Sequence, residues 1–318
     1  DEGGSLWNGY SRRFINGYVP RFGSTDAATQ DRYEEIAGEE EEHHEGDLKT
    51  FSHLACEDRY LREDGKWCGI SALSVVKGDV DDLGEIFRKG LESPTFAKMA
   101  ALSRQMNAFF SIYLPNLCAT KFENCYTVFA GGDDFFVVGP WKSQMRLLKN
   151  MREDFARYVV NDSIHFSAGI STVKPGIPIR TMAENAEEAL GSAKTRLVGK
   201  NSVNCYGNTV HWDRWSELLE IEERMARLQS TYGLSTGYLY GLVELSEMAG
   251  RVNENPENAI WLSRFVYRSK RFVGDKMKRE SNSRKEQAFS DLLLLAEDIR
   301  KYGTAFKIPL FNHLYTYR

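Results

Sequence analysis

The segment Tyr126 to Val138 constrains this chain more than any other. Two apolar runs, Tyr126 to Ala130 and Phe135 to Val138, enclose Gly131, Gly132, Asp133 and Asp134. The runs are too short for helices and are rich in β-branched and aromatic residues, so they predict a β-hairpin with two adjacent carboxylates at its tip. The paired glycines are expected to supply the positive φ values of a tight turn. Such a hairpin commits the surrounding chain to an antiparallel sheet. Its carboxylates repel each other unless a cation neutralises them, which suits a hard, oxygen-seeking ion such as Mg²⁺. Gly and Asp also dominate turns on conformational grounds alone, so an ordinary acidic turn is the alternative reading.

A second acidic cluster lies upstream. Ile70 to Val76 reads as a strand that leads into Asp79, Asp81 and Asp82, with a helix starting near Leu83. An EF-hand loop fails on register, because counting from Asp79 puts Leu83 at position five and Gly90 where a bidentate Glu is required. Asp81 or Asp82 suits a helix N-cap. Asp79 is expected to be a metal ligand, since a strand-end carboxylate and a hairpin carboxylate pair are the minimal equipment of a two-metal site.

The 318 residues suffice for about two domains, and an apolar fraction of 42% is that of a globular chain. A net charge of −4 offers polyanions no global attraction, which leaves that task to local basic patches. Cys56, Cys68, Cys118, Cys125 and Cys205 are odd in number and form no Cys-x-x-Cys pair, so neither a disulfide framework nor a zinc knuckle is indicated. Apolar stretches fall well short of the roughly 18 residues of a membrane span. The acidic start is no signal peptide, and a cytoplasmic protein is expected. Asp1 stands where an initiator Met would, so the chain is expected to be a piece of a longer subunit or a renumbered one.

Three parts are expected. Residues 1–50 form a linker segment with a solvated acidic loop, Gly38 to Gly46. Residues 51–212 read as α+β, with strands Ile70 to Val76, Cys125 to Ala130, Phe135 to Val138, Ile164 to Thr172 and Val203 to Tyr206, and an optional last one through Val210. Helices fall near Ser93 to Leu117, Lys142 to Val160 and Ile179 to Leu197, giving a ferredoxin-like sheet backed by helices on one face. Residues 213–318 form a small all-α domain with helices Trp215 to Ser230, Gly237 to Gly250, Asn258 to Arg279 and Arg284 to Gly303. Within it, Arg264 to Arg279 is basic and interleaved with aromatics, which suits a neighbouring subunit or an RNA backbone. An amphipathic helix turning Phe265, Val266, Phe272 and Val273 to the domain core accounts for the same pattern.

Lys194, Lys200 and Asn201, around the turn at Gly199, are placed to meet a triphosphate. They are not a Walker loop, because Lys194 stands five residues before Gly199 and Asn201 replaces Ser or Thr.

Four strings occur in order: Lys77-Gly-Asp-Val-Asp-Asp-Leu-Gly84, Leu102 to Phe110, the Gly-Gly-Asp-Asp hairpin through Trp141, and Ala183 to Leu190 continuing through Lys200-Asn201. Together they resemble the second palm domain of the large polymerase/cyclase subunit of type III CRISPR effector complexes, Csm type. Asn16 to Pro20 and Phe51 to Ala55 resemble the segment preceding that palm. The resemblance implies a nucleotidyl cyclase palm at residues 51–212 that converts ATP to cyclic oligoadenylate. It implies two Mg²⁺ or Mn²⁺ ions bridged by Asp79 and Asp133, assisted by Asp134 and the Val80 carbonyl. Gly131 and Gly132 would shape the nucleotide-binding turn, and Ser103 would contact adenine. No covalent nucleophile is needed, in keeping with the lack of a Ser-His-Asp or Cys-His constellation.

The family site lies between two palms, so a second palm is expected from outside this chain. The implied partners are the first palm and HD domains of the same subunit, the other subunits of the complex, and guide and target RNA, with no membrane. Two other readings stay open. A diguanylate-cyclase-like enzyme would carry Glu after Gly-Gly-Asp and an Arg-x-x-Asp upstream, where this chain has Phe122 and Cys125. A non-catalytic palm scaffold in an RNA-binding complex is the other.

Overall fold

The computed structural model describes residues 15–24, 31–33, 43–90, 93 and 95–318. Residues 38–42 of the acidic run lie outside them. The chain divides into two compact units, residues 1–212 and 213–318.

Among the described residues, the first unit holds a seven-stranded sheet. The strands are β1 (Ile15–Tyr18), β4 (Leu73–Val80), β5 (Tyr126–Gly131), β6 (Asp134–Pro140), β7 (Phe166–Val173), β8 (Ser202–Cys205) and β9 (Asn208–His211), in the order β1-β5-β6-β4-β7-β8-β9. A separate small ribbon pairs β2 (Tyr60–Leu61) with β3 (Trp67–Cys68). Helices α1 (Phe51–Cys56), α2 (Leu83–Lys89), α3 (Phe96–Ala108), α4 (Leu114–Lys121), α5 (Trp141–Val159) and α6 (Ile179–Thr195) complete the unit. In chain order β4, α3–α4, β5, β6, α5 and β7 form a βαββαβ unit. Its four strands lie as β5-β6-β4-β7 with every neighbour antiparallel, which is the ferredoxin-like arrangement.

Helices cover both faces of this sheet, not one as the sequence suggested. On one face Phe110 and Phe155 pack against Phe135 and Phe166. On the other, Leu54 and Ala55 of α1 and Met182 and Ala186 of α6 pack on Leu73, Val75 and Val138. Double coverage explains why β4 begins as the buried run Leu73-Ser-Val-Val instead of alternating with polar residues. The close fit of α6 depends on Gly169, where a Cβ would collide with the backbone at Ala189 and Leu190. Gly78 is likewise crossed by the Phe135 ring.

The helix expected from Ser93 to Leu117 is interrupted. α3 widens into a π turn at Phe109–Tyr113 before α4 begins. Pro115 offers no N–H to an α-helical ladder and its ring crowds the preceding turn, a local cause for the wider winding.

The second unit is helical: α7 (Trp212–Tyr232, from its second residue on), α8 (Thr236–Gly250), a 3₁₀ turn (Pro256–Ile260), α9 (Trp261–Lys276), α10 (Asn282–Tyr302) and α11 (Lys307–Thr316). Ser235 Oγ accepts from Tyr238 N and Ser281 Oγ from Arg284 N, which closes the first turns of α8 and α10. Leu242, Phe265, Leu292 and Phe306 are fully buried. α11 was missed in the sequence because it is short and holds Pro309, a residue tolerated in a first turn.

Candidate functional site

β4 extends to Val80, so Asp79 sits within the strand and not beyond its end. The register sets Asp79 directly opposite Asp134 on β6 and opposite Ser167 on β7. Directly opposed antiparallel residues point to the same face, with Cβ atoms about 5 Å apart. That face also carries Leu73 and Val75, so both carboxylates look to the side that α6 covers. Asp133 occupies the turn itself, and its carbonyl accepts from Val80 N at 2.9 Å, which ties the hairpin tip to the end of β4.

The turn differs from expectation in one respect. Only Gly132 takes a positive φ, +67°, while Gly131 is the last residue of β5, paired with Asp134. Positive φ at the first central position alone is the pattern of a type II′ turn, whose twist matches the strands. Asn107 on α3 braces it: Gly132 N donates to Asn107 Oδ1 at 2.9 Å. The sequence reading missed Asn107, whose only signal is that it follows Ser103 by one helical turn. Ser103 itself is exposed, and among the described residues no contact joins it to the carboxylates.

Basic residues surround the acidic group. Lys194, in the last turn of α6, forms an ion pair with Asp79. Lys77, which shares the face of Asp79, pairs with Glu187 of α6. Lys200 reaches Asp82 at 2.5 Å. Burial, then the charges of Lys200 and Lys77, pull the Lys194 ammonium down to about 8, a shift the Asp79 carboxylate opposes. Burial and the neighbouring Asp133 push the Asp134 carboxyl up, partly offset by Lys77.

The Gly199-Lys200-Asn201 turn is left-handed throughout, with φ of +85°, +51° and +49°. Its conformation is held by Asp81, which is buried and caps no helix. Asp81 Oδ2 accepts from Asn201 N at 3.1 Å and from Ser167 Oγ at 2.9 Å, and lies 2.7 Å from His165 Nδ1. Asp81 therefore locks the end of β4 to β7 and to the lysine turn. Asp82 stands at the N-cap position of α2 but in a left-handed conformation with no capping bond. Thus neither aspartate acts as the expected cap. Asn201 contributes its backbone N–H here, and its Oδ1 is buried without a partner.

Among the described residues no three His, Cys, Asp or Glu side chains stand gathered to hold a metal ion. The donor set nevertheless fits a divalent cation. Asp79, Asp133 and Asp134 are hard oxygen donors, Asp134 is strained by its neighbour's charge, and Asp79 already attracts an ammonium. Three lysines beside them fit a polyphosphate. No helix of the described residues is long and apolar enough to cross a membrane.

Residues 72–204 match the family model described as Cas10/Cmr2, second palm domain. The CRISPR system single-strand-specific deoxyribonuclease Cas10/Csm1 (subtype III-A) of Methanocaldococcus jannaschii is 32% identical over 210 residues, covering 59% of this chain and 26% of that protein. The chain spans about a quarter to a third of the length of the curated relatives it matches. Two solved structures are similar: a Csm1-Csm4 cassette in complex with cA3 (26% identity, TM-score 0.57) and one in complex with AMPPNP (27%, TM-score 0.55). Each covers 70% of this chain, which covers 33% of each.

Proposed function

We propose that this chain, which belongs to the Cas10/Cmr2 family through the second palm domain at residues 72–204, is a metal-dependent nucleotidyltransferase that converts ATP to cyclic oligoadenylate within an RNA-guided type III CRISPR complex. The observation that carries the reading is the pairing of Asp79 with Asp134 across β4 and β6, beside Lys77, Lys194 and Lys200. The cA3 and AMPPNP bound by the similar Csm1-Csm4 cassettes support an adenine nucleotide as substrate and a cyclic adenylate as product.

In this reading Asp79, Asp133 and Asp134, with the Val80 carbonyl, hold two Mg²⁺ or Mn²⁺ ions. Such ions lower the pKa of a ribose 3′-hydroxyl and neutralise a leaving pyrophosphate. Lys194, now paired with Asp79, and Lys200, now paired with Asp82, would turn to the phosphate oxygens of bound ATP. The 3′-hydroxyl of one ATP gives its proton to solvent and its oxygen bonds to the α-phosphorus of another as pyrophosphate departs. A last intramolecular attack of the terminal 3′-oxygen on the 5′-terminal α-phosphorus closes the ring and releases the remaining pyrophosphate. Asn107 and Gly132 hold the turn that carries Asp133. Asp81 keeps the lysine turn in register with β4, and Ser103 hydrogen-bonds the adenine. The second nucleotide is bound by another palm domain, and the working assembly includes the HD and first palm domains of the subunit, a Csm4-type subunit, and guide and target RNA. Its place is the cytoplasm.

The test supplies labelled ATP and labelled GTP, with Mg²⁺ or Mn²⁺, to the purified assembly. Oligoadenylate from ATP alone supports the reading. A guanine product would make it a diguanylate-cyclase-like enzyme, and no conversion under RNA activation would leave a scaffold.

A further inference from the structure

The helical unit contains a cleft of about 440 Å³ between the start of α8 and one stripe of α9. α9 is two-sided. Phe265, Ser269 and Phe272 are buried, while Arg264, Tyr267, Arg268 and Arg271 recur at three- and four-residue spacing along the cleft. Tyr238 and Phe272 form an aromatic floor, their ring centroids 5.1 Å apart, and the Tyr238 hydroxyl is fixed by Ser269 Oγ at 2.8 Å. Tyr267 at the rim is 68% exposed, and among the described residues no ring stacks on it.

The cations are arranged and not merely solvated. Arg268 lies flat against α8 where Gly241 leaves room, since a Cβ there would overlap the guanidinium. It donates to Gly237 O at 2.5 Å, while its Nε is buried with no partner. Arg264 pairs with Glu244 at 3.0 Å and Arg271 with Asp275 at 3.5 Å. Both pairs are exposed, so they exchange readily for a better anion. With Lys276, four cationic side chains stand against two carboxylates, Glu244 and Asp275, on a chain whose net charge is negative. Lys270, in the same basic segment, instead turns to the Phe289 ring.

We infer that this cleft binds a nucleotide, with a base stacked on Tyr267 and its phosphate held by Arg264, Arg268 and Arg271. Planar guanidinium forks match phosphate oxygens, and an aromatic face accepts any base. An acidic peptide would use the charge but leave the exposed ring without purpose. The site stands apart from the palm reading and does not rest on it.

The test is fluorescence anisotropy of a short labelled single-stranded RNA on the 318-residue chain, at two salt concentrations. Tyr267→Ala should weaken binding about tenfold by loss of stacking. The double variant Arg264→Glu/Arg271→Glu should weaken it at least about tenfold and flatten the salt dependence. All three side chains are exposed, so thermal melting of the variants should match the parent. Displacement by AMP identifies a free nucleotide as ligand, and its failure identifies the strand. Binding within about twofold of the parent for both cleft variants, or polyglutamate binding in place of RNA, overturns the proposal.

Discussion

Asp79 stood out in the sequence as a candidate ligand because it combines a carboxylate with the end of an apolar run. What the sequence did not disclose is that β4 continues four residues beyond Val76, to Val80, and sets Asp79 against Asp134 and Ser167 in one row. Asp81, Asn107 and the contact of Lys194 with Asp79 were illegible for a common reason: each depends on a partner brought in from another element. Lys194 is both counter-ion and phosphate ligand in this account, so Lys194→Met should have opposed effects. It should tighten Mn²⁺ binding in the absence of nucleotide, read by electron paramagnetic resonance, and raise the KM for ATP. Weakened Mn²⁺ binding would show that Lys194 supports the carboxylates instead of competing for them. Ser103→Ala should lower kcat/KM for ATP by roughly fivefold, one hydrogen bond's worth, and an unchanged value would return Ser103 to an ordinary surface serine.

At the scale of elements, the hairpin was read almost to the residue, because turn glycines and β-branched flanks are local signals. The helix at Ile179–Thr195 was read as well, but the coverage of a second sheet face was not, since α1 spans only Phe51–Cys56 and its burial is decided by β4 and α6. Two contacts that the sequence left unremarked carry predictions about stability. Asp58 closes the N-terminus of α5, accepting from Lys142 N at 2.6 Å, Ser143 N at 2.9 Å and Ser143 Oγ at 2.7 Å. Asp58→Ala should cost about 1–2 kcal/mol in urea unfolding, whereas an unchanged midpoint would mean that water replaces the cap. Gly169→Ala forces α6 off the sheet and should cost at least about 1–3 kcal/mol. Because α6 carries Lys194, it should also reduce nucleotide binding, and a variant with parental stability would contradict the close approach described for this helix.

For the whole molecule, the order βαββαβ followed by helices was visible in the alternation of strand and helix patterns, and the site-bearing half rests on those signals. The helical unit was visible only as a class. Which of its faces are core and which form a cleft depends on how α8 and α9 pack, and composition alone left the basic segment divided between those roles. The account's central claim is that the hairpin carboxylates hold the ions of nucleotide condensation. It is tested most directly by measuring oligoadenylate formation from ATP and Mg²⁺ in the assembled, RNA-activated complex carrying Asp133→Ala/Asp134→Ala, against the parent complex purified in parallel. Removing two mutually repelling carboxylates should leave folding and assembly intact. The account predicts loss of all product from a complex that still assembles; continued oligoadenylate synthesis by that complex would contradict it.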